Sequence, residues 1–299
     1  MRIWIDTDVG SDVDDALTLA YALRHPELEL VGVSTVFGDV ELRSDIARGV
    51  LAAGGASDVP VQSGLGVPLT EGRIGLMFGH EGRGILEGRE PQMQTREDGD
   101  AQARIDALAS ALETAKPDAV VAIGPLSNLG ALVRAGVDLP PLAIMGGKLA
   151  DVMLDGMVPG ISEWNWYCDP LSVQHVLGAS HPALPKIVPA EVTFRTALAP
   201  GDVEKLAGGD ALARQISTLS AEWLRFLRER FGRDEPRVAL HDPLTAAVLV
   251  QDGLCPFEER RIHVDDNAVS ETIDGAPNIT VATSVDANAL RDHLMETWL

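Results

Sequence analysis

Five aspartates, Asp6, Asp8, Asp12, Asp14 and Asp15, fall within the ten-residue run DTDVGSDVDD. The strand-like segment Arg2-Ile3-Trp4-Ile5 leads into them, and an apolar helical stretch, Ala16 to His25, follows at once. Solvated acidic runs rarely occupy such a place, so a buried carboxylate cluster is expected. Two ionised carboxylates about 4 to 5 Å apart repel by roughly 3 to 4 kcal/mol at an effective dielectric near 20. The cluster therefore needs protons, basic partners or a cation. No Lys or Arg lies between Arg2 and Arg24. Oxygen donors without a neighbouring Cys or His suit a hard divalent ion, and several flexible carboxylates favour Ca²⁺ over Mg²⁺. A plainer reading makes Asp12 a helix N-cap with Asp14 and Asp15 in the first turn, which accounts for two or three of the five. Gly10 and Ser11 permit a tight turn, yet neither GxGxxG nor GK[ST] accompanies them, which argues against a dinucleotide or phosphate loop.

The elements that must position these acids alternate. Short β-branched runs (Ile3 to Ile5, Leu30 to Val36, Ala119 to Ile123, Leu142 to Met145, Ile187 to Val188) are interleaved with helical segments (Ala16 to His25, Leu42 to Ala53, Ala107 to Thr114, Leu129 to Arg134, Cys168 to Val176). That rhythm predicts βαβ units, hence an α/β fold with a mostly parallel central sheet flanked by helices. The strand ends at Asp6, Thr35, Ile123 and Met145 should converge on one edge, where such sheets bind ligands. Leu212, Ile216, Leu219, Trp223, Phe226 and Leu227 recur at helical spacing and predict a long helix over 210–231. Phe257 to Val281 reads as a few antiparallel strands, Asp286 to Trp298 as a closing helix, and Glu71 to Asp100 as a long irregular loop. With 299 residues and 45% hydrophobic side chains spread evenly, one domain over 1–299 is expected. The formal net charge of −21 repels phosphate backbones and anionic membranes, which excludes nucleic acid as a partner but not a neutral nucleoside. Cys168 and Cys255 lack CxxC spacing, no apolar leader precedes the first strand and no 18-residue apolar stretch occurs, so a cytoplasmic protein is expected.

With these features in place, the chain resembles the inosine-uridine-preferring nucleoside hydrolase family, whose N-terminal signature is a DxD followed by a DD pair opening a helix. Further pieces recur in family order: Ser34-Thr35-Val36-Phe37-Gly38, Gly79-His80-Glu81-Gly82, Ile123-Gly124-Pro125-Leu126-Ser127-Asn128, Met145-Gly146-Gly147, Glu163-Trp164-Asn165 with Asp169-Pro170, and His241-Asp242-Pro243. The resemblance implies hydrolysis of the N-glycosidic bond of ribonucleosides. It puts Ca²⁺ on Asp8, Asp15, the main-chain carbonyl of Ile123, and Asp242, with Asp8 also taking a proton from a Ca²⁺-bound water. It assigns the ribose to Asp14, Glu163 and Asn165, and implies a homodimer or homotetramer. Met145 is read as a strand-end packing residue that also lines the pocket. His241 is either the acid that protonates the leaving base or a group that orients Asp242, and Asp242 could equally be the N-cap of the helix at Pro243. His80 is either a lid contact to the nucleoside or an exposed bystander. Trp164, Trp166, Trp223 and Phe226 are the candidates to stack on the base.

Three departures from the family pattern bear on the sugar. Five residues rather than three separate Asp8 from Asp14, which leaves the duties of Asp12, Asp14 and Asp15 interchangeable. Asp39 stands where an Asn near the ribose is expected, and Met157 where a sugar-contacting Asn is expected. Two other functions compete. A haloacid-dehalogenase-like phosphatase would use Ile5-Asp6-Thr7-Asp8 as its strand-end DxD, but Lys116, Lys148 and Lys186 stand in no matching motif. A calcium- or nucleoside-binding protein without turnover is the third reading.

Overall fold

The computed structural model describes residues 1–150, 152–153 and 162–299. The first half of the chain runs β1 (Arg2–Thr7), α1 (Asp14–Arg24), β2 (Glu29–Thr35), α2 (Val40–Ala53), β3 (Val61–Ser63), β4 (Gly75–Leu76), β5 (Gln94–Thr95), α3 (Ala101–Ala115), β6 (Ala119–Ala122), α4 (Ser127–Arg134) and β7 (Leu142–Met145). The second half runs α5 (Trp164–Cys168), α6 (Pro170–Gly178), β8 (Lys186–Val188), α7 (Ala190–Thr193), α8 (Pro200–Ala207), α9 (Ala211–Phe231), α10 (His241–Ala247), β9 (Phe257–Arg260), β10 (Ile262–Val264), β11 (Ser270–Thr272), β12 (Ile279–Ala282) and α11 (Ala287–Trp298).

Eight strands form one sheet in the order β3-β2-β1-β6-β7-β8-β12-β9. All neighbours pair in parallel except β12 with β9. After β1 the chain builds outward through β2 and β3, then returns to lay β6 on the other side of β1. The carboxyl ends of β1 and β6 therefore flank a topological switch point, where an open α/β sheet leaves a crevice. Alternation along each strand sends Ile3 and Ile5 into one apolar layer and Trp4 into the opposite one. Val121 and Ile123 divide from Val120 and Ala122 in the same way. The first layer lies beneath α1, α2, α9, α10 and α11, and the second beneath α3, α4 and α6.

The α/β architecture expected from the sequence is present, with three local differences. The helix expected over Cys168 to Val176 breaks at Asp169, because Pro170 cannot donate a helical hydrogen bond and the Asp169 carboxylate caps a new helix at Ser172 N. Of the antiparallel strands expected after Phe257, β10 and β11 form a hairpin, but β12 extends the main sheet parallel to β8. Its Ile279, Val281 and Ala282 are buried in the two apolar layers, which fixes it there. The irregular stretch from Glu71 to Asp100 contains the small antiparallel pair β4-β5.

Candidate active site

A cavity of about 380 Å³ opens at the carboxyl edge of the sheet. Asp8 follows β1, and Ile123 follows β6 beside it. Their approach depends on Gly124, since a Cβ there would lie 2.9 Å from both the amide nitrogen and a carboxylate oxygen of Asp8. Gly10, at φ +118°, turns the chain between β1 and α1. The helix that follows has Val13 at its N-cap position, so Asp12 is not the N-cap residue, although its carboxylate accepts from the Val13 amide at 2.5 Å. Asp14 and Asp15 occupy the first turn, where the helix dipole favours anions. Asp242 comes from the first turn of α10 and is likewise not an N-cap; Leu240 holds that position.

Asp8, Asp12, Asp14, Asp15 and Asp242 all line the cavity. One carboxylate oxygen from each of Asp14, Asp15 and Asp242 lies within 4.8 Å of the others, so these three form the tightest acidic group among the described residues. Hydrogen-bond relief is sparse. Asp15 receives the Thr7 hydroxyl, and Asp14 receives the Asp242 amide at 3.4 Å. Burial, reinforced by mutual repulsion, pushes the carboxyls of Asp14, Asp15 and Asp242 well above the ordinary range, and Asp12 up to about 7. Asp8 is raised by burial too, partly offset by Arg43. A divalent cation is the natural remedy: an all-oxygen donor set of several carboxylates matches a hard ion. The Asp8 carboxylate stands beside this group rather than within its closest trio.

Opposite the acids, Glu163, itself extended, caps α5, its carboxylate accepting from the amides of Asn165 at 2.7 Å, Trp166 at 3.1 Å and Gly147 at 2.9 Å. Burial nevertheless raises its pKa to about 7. The Asn165 amide donates to the Ile123 carbonyl at 3.0 Å and lies 3.4 Å from the Met145 carbonyl, tying the ends of β6 and β7 together. Gly146 and Gly147 are required here because Trp166 packs flat beneath them; a Cβ on Gly146 would come within 2.3 Å of its ring nitrogen. Trp166 is thus a buried support and not a pocket wall.

The aromatic lining consists instead of Trp164, Trp223, Phe78 and Phe194. Phe226, a sequence candidate, lies behind Trp223 and stacks on His80 at 3.7 Å between centroids. His241 is at the wall with its Nδ1 2.7 Å from the Thr193 hydroxyl and Phe194 edge-on at 4.7 Å. Its ring meets the cavity rather than bulk water, and desolvation lowers its pKa to about 4, so the imidazole is uncharged at neutral pH.

Asp8, Asp14, Asp15, Ile123, Met145, Glu163, Asn165, His241 and Asp242 are therefore brought together around one cavity. Asp39 and His80 are not among its lining residues. The Asp39 carboxylate caps α2 at Leu42 N and accepts from Gln92 N, both at 3.0 Å, which turns it toward the loop over 71–100. His80 is neither lid nor exposed bystander: it is buried, with Nε2 2.8 Å from the Ser11 carbonyl. Met157 lies outside the described residues. Sequence reasoning missed Phe78 and Phe194, which carry no periodic signal in their loops. It also missed Arg43, a charged residue three and four positions before Ile46 and Ala47 on the buried face of α2. A cation in an apolar helical stripe was the signal that could have found it.

Fold and site together define an α/β enzyme of the kind that gathers carboxylates at a switch point to hold a divalent cation against a small polar ligand. A family model described as inosine-uridine preferring nucleoside hydrolase matches residues 3–292. The chain belongs to this family and is a nucleoside hydrolase. It is similar to the pyrimidine-specific ribonucleoside hydrolase RihA of Salmonella typhimurium, with 29% identity covering 99% of this chain and 97% of that one. Among solved structures it resembles a plant nucleoside hydrolase, PpNRh1, with 25% identity, TM-score 0.79, and coverage of 99% and 98% of the two chains. A purine-preferring ribonucleoside hydrolase from Gardnerella vaginalis shares the fold at TM-score 0.78 and 20% identity, covering 100% and 98%. Family membership sets aside the phosphatase reading. No helix among the described residues is long and apolar enough to cross a membrane.

Proposed function

We propose that this chain cleaves the N-glycosidic bond of ribonucleosides with Asp8 as general base and a Ca²⁺ ion held by Asp14, Asp15 and Asp242, with Asp8 and the Ile123 carbonyl beside them. The observation that carries this reading is the meeting of Asp14, Asp15 and Asp242 oxygens within 4.8 Å in a buried cleft that offers them little hydrogen-bond relief. When bound, the cation balances the cluster's charge and makes a water more acidic.

Asp8 then accepts the proton of the water that attacks C1′ as the bond to the base breaks through an oxocarbenium-like state. The buried carboxylates around the cavity favour the positive charge that develops on the sugar. Asp14, Glu163 and Asn165 hold the ribose hydroxyls; Glu163 and Asn165 are themselves fixed by the α5 cap and the Ile123 carbonyl. Trp164, Phe78 and Trp223 offer aromatic faces to the base. Uncharged His241 acts as a hydrogen-bond donor to the departing base in the tautomer that carries its proton on Nε2, in which Nδ1 accepts from the Thr193 hydroxyl 2.7 Å away. Its low pKa argues for this role over that of an imidazolium acid. Asp39 and His80 act indirectly, by shaping the loops around Gln92 and Ser11.

The test is release of free ribose from inosine, uridine and cytidine, with and without EDTA. Release from at least one nucleoside, lost in EDTA and restored by Ca²⁺, is expected. No ribose from any of the three, with the protein folded and Ca²⁺ bound, makes it a binding protein without turnover.

A further inference from the structure

Arg43 is fully buried on the inner face of α2, among Leu42, Ile46, Ala47 and Val50. A guanidinium in that setting is retained only if its donors are satisfied. It is satisfied entirely by the segment that carries the acids and by the neighbouring turn. Nε donates to the Phe37 carbonyl at 2.6 Å, Nη1 to the carbonyls of Asp8 and Val9, the latter at 3.0 Å, and Nη2 to the Ser11 hydroxyl at 3.0 Å. Nη2 also lies 3.9 Å from the Asp8 carboxylate.

The contact continues beyond Ser11. Its hydroxyl donates to buried Glu81 at 3.3 Å, and the Glu81 carboxylate accepts from the amides of Phe78 at 2.5 Å, Gly79 at 2.7 Å and His80 at 3.1 Å. One cation thus clasps the main chain on both sides of Asp8 and links it, through Ser11 and Glu81, to the loop that puts Phe78 on the cavity wall. The clasped stretch, 8–11, lies in the turn between β1 and α1, directly ahead of Asp12, Asp14 and Asp15.

We infer that Arg43 is a positioning residue: it holds the aspartate segment between β1 and α1 so that Asp8 faces the cation site and the reacting sugar. The inference rests on the hydrolase reading for its kinetic arm only. A fork of N–H groups on a planar head fixes several carbonyls at once, which an ammonium on a flexible stem does not reproduce. Displacing a reacting group by about 1 Å costs on the order of a hundredfold in rate.

The experiment compares wild type, Arg43→Lys and Arg43→Gln. Each is stripped with EDTA, titrated with Ca²⁺ alone by calorimetry, and assayed for ribose release at saturating Ca²⁺. For Arg43→Gln we expect Ca²⁺ affinity to fall by about tenfold or more and kcat by about a hundredfold, with KM changed less than about threefold. Arg43→Lys keeps the charge but not the fork, and should recover only part of each loss; it decides the matter if the Gln variant does not fold. Wild-type Ca²⁺ affinity and kcat in a folded Arg43→Lys protein would overturn the inference. So would losses confined to melting temperature, since those mark a structural role alone. If wild type releases no ribose, the hydrolase reading fails while the Ca²⁺ titration still tests Arg43.

Discussion

Two groups of buried carboxylate in this molecule are built on opposite terms. Asp169, fully buried between α5 and α6, accepts from Leu69 N, Thr70 N, the Thr70 hydroxyl, the Ser127 hydroxyl, Ser172 N and the Ser172 hydroxyl. Every donor is local or neutral, and the negative charge is spread over a complete shell. At the edge of the sheet, Asp14, Asp15 and Asp242 face one another with few donors and strongly raised pKa values. A carboxylate supplied with donors fastens the fold; carboxylates left to repel one another need a charge from outside. Burial and residue type are shared by both groups, so satisfaction is what separates structure from function.

The sharpest way to break that contrast is to neutralise in turn Asp8, which stands beside the repelling trio, and Asp169. Asp8→Asn should lower kcat by about a thousandfold, within the range for loss of a general base, with little change in melting temperature in EDTA. A variant within tenfold of wild type would remove Asp8 from the chemistry. Asp169→Ala should do the reverse. Orphaning buried donors costs about 3 kcal/mol or more of unfolding free energy in urea, while ribose release per folded molecule stays near wild type. Equal damage to rate and stability in both variants would erase the distinction.

A smaller effect concerns pH. Asp6, Asp12 and Glu163 all have pKa values raised to about 7 by burial, against ordinary values near 4. The folded state therefore holds more protons than the unfolded one between those limits, and stability must fall as pH rises through them. Thermal melting in EDTA should drop steadily from about pH 4 to pH 7, and Ca²⁺ should restore most of the loss at pH 7. A flat profile without metal would mean that the acids are balanced from within. Smallest is His241→Ala, which removes one hydrogen bond to the leaving group and should slow purine nucleosides by about tenfold; equal rates on inosine would release His241 from base departure.

Much of this contrast is legible in the sequence. The alternation of strands and helices, with Asp6, Ile123 and Met145 at strand ends, placed the acids on one edge, because parallel connections send every strand's carboxyl end the same way. The five-aspartate run gave the need for a cation. What escaped was decided by side-chain direction and by contacts distant in sequence. No basic residue lies between Arg2 and Arg24 in sequence, and the basic partner, Arg43, arrives from the next helix. Asp39 and His80 sit in motifs that suggest the pocket, yet a helix cap and a stacking ring turn them aside. Trp166 and Phe226 were indistinguishable from Trp164 and Trp223 by spacing, since only packing decides which ring meets the cavity. Asp169, whose motif adjoins Glu163-Trp164-Asn165 in sequence, ties α4 and α6 to the turn at Leu69 and Thr70.

On the proposed reading, the unsatisfied acids form a catalytic centre completed by a cation. Titrating Ca²⁺ into EDTA-stripped protein, while following bound ion and ribose release in the same samples, tests it directly. Activity that rises from background in proportion to occupancy of one site per chain, and that Asp15→Asn abolishes together with binding, is the predicted result. Full turnover in EDTA, or Ca²⁺ binding that leaves the rate unchanged, would contradict it.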